Sequence, residues 1–245
     1  MKKIAYVLGA ALLLTLPSCR FVKMSEDLKN EIRENGYTMN GESSGEQITA
    51  SDNYITRDEV TGEFHSLTCN LPGDVVYKPG ECAVSIYAPD NVHDIVTVRN
   101  ENGTLVIKTS TTRIRNLKKV KINVSSPVLE NLTFNGAVDF NAPQGITALD
   151  FNATVNGAGD IDINGLKSGN ATLNVNGAGD ARISSIDCDE LAVAIAGAGD
   201  AVVSGRVSGK ANMSISGAGD IDARELQCAS FDSKVRGIGS VKKPK

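Results

Sequence analysis

The sequence predicts an all-β fold, a single-stranded parallel β-helix with about 20 residues per rung. Three observations carry this. Gly-Ala-Gly-Asp recurs at Gly157–Asp160, Gly177–Asp180, Gly197–Asp200 and Gly217–Asp220, each copy twenty residues after the last. Residues at that spacing form apolar columns: Val155, Val175, Ile195, Ile215 and Val235 in one, Phe151, Ala171, Leu191, Ala211 and Phe231 in another. Proline is absent between Gln144 and Lys243, as ladders hydrogen-bonded on both sides of every strand require.

Each repeat supplies two short strands joined by a Gly-x-Gly turn. Columns starting at Ala153, Ile161 and Ile163 are also apolar, and the residues between them are mostly Asn, Thr, Ser, Asp or Ala. Large and small residues alternate along a column, so neighbouring rungs interdigitate. Arg206 breaks the column of Leu166, Ile186 and Leu226; a local shift that turns Val207 inward repairs it. A degenerate copy, Gly237-Ile238-Gly239-Ser240, ends the series, and Asn135-Gly136-Ala137-Val138-Asp139 opens it one residue out of phase, so the regular repeats span 135–243.

Ahead of the repeats, the domain begins at residue 59 and reads as β throughout. Ala83–Tyr87, Thr104–Lys108 and Val120–Val124 alternate apolar and polar, and Pro72-Gly73, Pro79-Gly80 and Asn102-Gly103 mark the turns. Residues 1–18 read as a signal peptide, with Lys2 and Lys3 before the apolar run Ile4–Leu16. Leu16-Pro17-Ser18-Cys19 resembles the lipobox of bacterial lipoproteins, which makes Cys19 the expected lipidated residue and anchors the protein to a membrane. Residues 19–58 form the tether. Met24, Leu28 and Ile32 place a short amphipathic helix over 26–35, and the polar stretch Asn40–Glu46 follows.

Composition excludes one class of partner. The net charge of -4 becomes -6 once Lys2 and Lys3 are removed, which argues against nucleic acid. Of the four remaining cysteines, Cys188 and Cys228 are two rungs apart, roughly 9.6 Å at ~4.8 Å per rung, beyond the ~7 Å reach of a disulfide. They are expected to be free; Cys69 with Cys82 is left sterically open. His65 and His93 are expected at the surface without partners.

Stacking aligns Asp160, Asp180, Asp200 and Asp220. Such a column of like charge needs compensation, and two readings supply it. In one, each carboxylate accepts backbone N–H groups of its own turn. In the other, the column binds cations weakly, Ca²⁺ most naturally. No other metal site and no cofactor is expected. No inserted loop walls a cleft in 151–240, and no pair of carboxylates is differentiated for acid–base work, so the chain is not expected to be an enzyme. Two surfaces are candidates for binding. Arg113, Arg115, Lys118, Lys119 and Lys121 form a basic cluster that suits anionic envelope components, or guards an edge strand. Asn152, Thr154, Thr172, Asn174, Asn212 and Ser214 form a flat polar face that suits glycan or protein. The open end of the stack is a place where another copy can pack, although Lys242, Lys243 and Pro244 read as protection against strand pairing.

Taken together, the lipobox, Phe64, Asp74-Val75-Val76, Gly103–Ile107, Val120–Pro127 and the repeated Asn-Gly-Ala-Gly-Asp resemble the head GIN domain family of putative auto-transporter adhesins. The resemblance covers about residues 55–243. It implies a right-handed β-helix in the bacterial envelope, carried by an outer-membrane lipoprotein at the cell surface or on the periplasmic face, with adhesion as the assigned role. It supplies no catalytic residues, and the chain carries no translocator barrel.

Overall fold

The structure, a computed structural model, describes residues 47–111 and 113–244. The signal peptide, Cys19 and the helix expected over 26–35 lie outside the described residues. What is described is nearly all β, arranged as a solenoid.

The first strands are β1 (Ile48–Thr49), β2 (Tyr54–Glu59), β3 (Ser66–Cys69), β4 (Gly73–Pro79) and β5 (Ala83–Pro89). A single helical turn, α1 (Asp90–His93), leads to β6 (Val96–Glu101), β7 (Thr104–Thr109), β8 (Ile114–Arg115) and β9 (Lys121–Ser126). The repeats follow as β10 (Asn131–Ala142), β11 (Ile146–Thr147), β12 (Asp150–Ala158), β13 (Ile161–Ile163), β14 (Leu166–Ala178), β15 (Ala181–Ala198) and β16 (Ala201–Lys242).

In the repeats every pairing is parallel. Val155 faces Val175, which faces Ile195, which faces Ile215. The out-of-phase opening copy is also in the stack, because β10 pairs β12 at an offset of 21, Gly136 against Gly157. Columns named from the sequence line the interior: Phe151, Ala153, Val155, Ile161 and Ile163 are all buried, as are their equivalents through Ala211, Met213 and Ile215. The exception is the last rung. Val235 is 40% exposed, because among the described residues no further rung covers it.

Corner glycines are set by backbone stacking. Gly177 has φ +147°, and a Cβ there would lie 1.9 Å from the carbonyl oxygen of Gly157. Successive corners therefore pass too close for any side chain.

Arg206 is exposed and Val207 buried, as expected, but the shift is of a different kind. Ile186 faces Gly205, and Val207 faces Cys188. β15 carries an extra residue at Ser184-Ser185, with Ser185 at φ +54°, and the phase is restored between Cys188 and Leu191.

The N-terminal part departs from a purely parallel helix. Here chain order is not stacking order. β10 lies on β3 and β4, and these lie on β7 and β9. Beyond them β6 and β5 run antiparallel, and β2 lies outside β5. The reversal from β6 to β7 is made at Asn102-Gly103, both at positive φ, the geometry a two-residue hairpin needs. The tether expected to reach residue 58 is correspondingly shorter, because residues 54–59 are an antiparallel strand and Ile48 pairs Ile114.

Candidate functional site

The most ordered polar feature of the surface is the aspartate column. At residues 159–160, 179–180 and 199–200 the strands are interrupted. There the side chain of one rung takes the place of a ladder acceptor: Oδ1 of Asp160 accepts the backbone N–H of Asp180 at 2.8 Å, Asp180 that of Asp200 at 2.8 Å, and Asp200 that of Asp220 at 2.7 Å. The bond runs to the next rung and not within the carboxylate's own turn, which corrects the first of the two expected readings. A parallel stack holds these groups one above another, so the nearest unpaired N–H belongs to the rung above. Each bond is charge-assisted, which offsets the repulsion along the column.

The column is longer than the four repeats. Asp139 accepts the N–H of Asp160 at 3.0 Å, and Asp74 sits opposite Asp139 in register. Ser240 closes it, donating both its N–H (2.7 Å) and its hydroxyl (2.9 Å) to Asp220. Those two bonds, the hydroxyl first, hold the Asp220 carboxyl below its ordinary range. One carboxylate oxygen per rung remains outside this chain of bonds, but among the described residues no three acidic, histidine or cysteine side chains converge to hold a metal ion.

A second ladder runs beside the first on the other side of the Gly-Ala-Gly corner. Asn135 donates to Asn70, Asn156 to Asn135 and Asn176 to Asn156, at 2.7, 2.9 and 3.0 Å. The repeated Asn of Asn-Gly-Ala-Gly-Asp signals it in the sequence. The row ends at Ala196. The flat polar face continues inward along the strands, with Thr154, Thr172, Asn174, Asn212 and Ser214 half-buried and Asn152 exposed.

The basic cluster lies toward the N-terminal end of the solenoid, beside the start of the aspartate column. Arg113, Arg115, Lys118, Lys119 and Lys121 are all exposed. Arg115 is in β8, while Lys121 opens β9 and faces Asp74 across the ladder. Lys118 is bound to Asp52 at 2.9 Å, which raises the lysine's pKa and lowers the aspartate's. One charge of the five is therefore already matched.

Both histidines differ from expectation. His93 is buried, with Nε2 3.2 Å from the Ile55 carbonyl and, among the described residues, no partner for Nδ1. His65 is exposed but pairs with Glu130 at 3.1 Å, and Ser66 Oγ lies 3.2 Å from the same nitrogen, Nδ1. A serine–histidine–carboxylate relay uses opposite ring nitrogens, so this trio is not one. Two open concavities of about 600 Å³ and 630 Å³ flank this end, sharing Glu63 and Cys82. All four described cysteines are free. The pairing left open for Cys69 and Cys82 does not form, because Cys69 is turned into the core toward the Leu71 carbonyl while Cys82 contacts the backbone of Phe64. Burial pushes the Cys69 thiol up to about 12.

Comparison with known proteins follows the same outline. Residues 63–242 match the family model described as "Putative auto-transporter adhesin, head GIN domain". No curated protein matches the chain. Among solved structures, a putative adhesin from Bacteroides fragilis superposes with a TM-score of 0.64 at 21% identity, covering 80% of this chain and 99% of that one. A putative lipid binding protein from Parabacteroides distasonis gives 0.65 at 17% identity, with 81% and 97% covered. A putative adhesin from Parabacteroides merdae gives 0.54 at 16%, with 82% and 100% covered. At these identities the likeness is one of fold.

Proposed function

The chain belongs to the head GIN domain family, and from that premise we propose that it is a non-enzymatic, lipid-anchored envelope protein whose solenoid presents an adhesive surface to glycan or protein. The observation that carries this reading is the exterior of the repeats. Rungs follow one another without an inserted loop, and the outer asparagine row is fixed by hydrogen bonds from rung to rung, with Thr154, Thr172, Asn174 and Ser214 set beside it by the strand register. Such a surface offers small polar groups at a repeat of ~4.8 Å, which suits an extended ligand better than turnover of a small one. The adhesin family supports a place at the cell surface or envelope, and the leader with Cys19 supports export and anchoring at the outer membrane.

The test is a screen of the chain from Arg20 against glycans, matrix proteins and whole cells. Binding that is lost when Thr172 and Asn174 are replaced by lysine supports the reading; absence of binding to every class overturns it. Protease treatment of intact cells, with a periplasmic protein as control, separates the two faces. Loss of the domain fits the surface, and protection until the outer membrane is broken fits the periplasm.

A second reading is a periplasmic structural or sensory lipoprotein that binds envelope components. It is favoured by the exposed Arg113, Arg115 and Lys119 and by the Parabacteroides distasonis neighbour's name as a lipid binding protein. Replacing the five basic residues should then abolish binding to anionic vesicles or lipopolysaccharide; unchanged binding removes the support.

A further inference from the structure

The two ends of the solenoid are finished differently. At the N-terminal end the antiparallel strands β5, β6 and β2 close the stack. At the other end, among the described residues, no strand pairs with the outer edge of the last rung. Its inward residues are open for the same reason: Val235 is 40% exposed, against 1–2% for Val155, Val175, Ile195 and Ile215 beneath it, and Phe231 is only partly buried. The guards noted in the sequence, Lys242, Lys243 and Pro244, lie beyond this stretch and leave 231–236 unprotected.

That stretch, Phe231-Asp232-Ser233-Lys234-Val235, is self-complementary about Ser233. In an antiparallel pair, residues directly opposite one another lie on the same face. With Ser233 opposite itself, Asp232 stands against Lys234 of the second copy on the outer face, twice by symmetry. Phe231 stands against Val235 of the second copy on the inner face, also twice. Neighbouring registers lose this. Centring the pair on Lys234 sets lysine against lysine, and centring it on Asp232 sets aspartate against aspartate. Within its own chain Asp232 is held through Oδ2 by Lys210 at 2.6 Å, which leaves its other oxygen for the partner.

We propose that the last rung is an interface for a second copy of this chain, joined tip to tip by antiparallel pairing of residues 231–235 about a two-fold axis at Ser233. A two-fold contact of this kind closes on itself and produces a dimer. The N-terminal end finishes in the antiparallel strands β6 and β2, which do not repeat the parallel rung, so a head-to-tail copy would not continue the ladder. Where the chain is anchored as proposed above, and on that reading alone, a further consequence follows. Pairing of two tips would then join two anchored chains through their solenoids.

Charge exchange tests the pairing. The chain from Arg20, which keeps the whole compact unit Gly45–Lys245, is expected to sediment as a dimer. Asp232→Lys and Lys234→Asp are each expected to sediment as monomers with unchanged far-ultraviolet circular dichroism, because each sets like charges against one another. An equimolar mixture of the two variants should restore the dimer, since lysine then meets aspartate at both positions. A wild-type chain that stays monomeric overturns the proposal, whether residues 20–46 or another protein covers the edge. So does a series of ever larger species, or single variants that dimerise like the wild type. Beads coated with each protein separate this from the adhesion reading. Aggregation that follows the same pattern supports both, whereas a solution dimer without bead aggregation keeps the interface and removes its adhesive role.

Discussion

Oδ1 of Asp180 accepts the backbone N–H of Asp200 at 2.8 Å, so the acid of one rung caps the strand start of the next. What the position needs is an acceptor, not a charge. Asp180→Asn keeps an acceptor oxygen and removes one negative charge from the column; it should cost about 1 kcal/mol or less. Asp180→Ala leaves the Asp200 N–H to water and should cost about 1 kcal/mol. Urea denaturation of the two variants checks the order. If the column were held by bound cations instead, chelation would lower the wild-type midpoint, and at millimolar Ca²⁺ the asparagine variant, its charge gone, would lose nearly as much as the alanine one.

The corner tolerates even less. A Cβ at Gly197, where φ is +142°, would stand 2.0 Å from the Gly177 carbonyl oxygen, and backbone cannot move aside as a side-chain tip can. Gly197→Ala should cost roughly 3 kcal/mol, from the strained φ and the overlap together. Gly136, also at positive φ (+117°), has nothing within 4 Å of the same position, so Gly136→Ala should cost less. Thermal melts of the two alanine variants measure the difference, which isolates close stacking from backbone preference.

Burial of the columns gives a sharper contrast. Val175 is 1% exposed and faces Val155 and Ile195. Val175→Asp would bury an unpaired carboxylate at a cost of several kcal/mol and should leave the chain unfolded at neutral pH. Val235 is the same column's last member, at 40% exposure. Val235→Asp should leave the monomer folded, as circular dichroism would show.

The repeats were legible because each residue's neighbours lie twenty positions away in both directions, so the sequence displays the contacts in columns. Val155 over Val175 is read by eye. The N-terminal half hides its contacts because its rungs are stacked out of chain order. Asp74 faces Asp139 across 65 residues of sequence, and no local pattern announces that the aspartate column extends so far. For the same reason His65 looked solitary, although Glu130 meets it from 65 residues away. The burial of His93 under β2 depends on an antiparallel strand that the sequence placed in the tether. The open last rung was legible in part. Its lysines and proline were visible, but the loss of cover at Phe231 and Val235 shows only once the rungs are stacked and no described strand lies over them.

Acid should loosen that last rung first. Asp222 is held at about 2, against an ordinary value of 3.8, chiefly by hydrogen bonds from the Arg224 guanidinium, and Asp220 is held low by Ser240. Both folded-state values are depressed, so their contribution is fully present above the ordinary carboxylate value and is lost as pH falls through the folded one. For Asp222 the window runs from about pH 4 to about pH 2. The two groups lie at 220–224, next to the uncovered edge, where local opening exposes the least apolar surface. Hydrogen exchange at pH 5 and pH 2.5, corrected for intrinsic rates, should therefore show protection lost over 221–242 while 151–175 stays protected. Asp222→Asn with Ser240→Ala should bring the pH 2.5 pattern to pH 5. Uniform loss of protection along the solenoid would mean instead that the acid transition belongs to the whole stack.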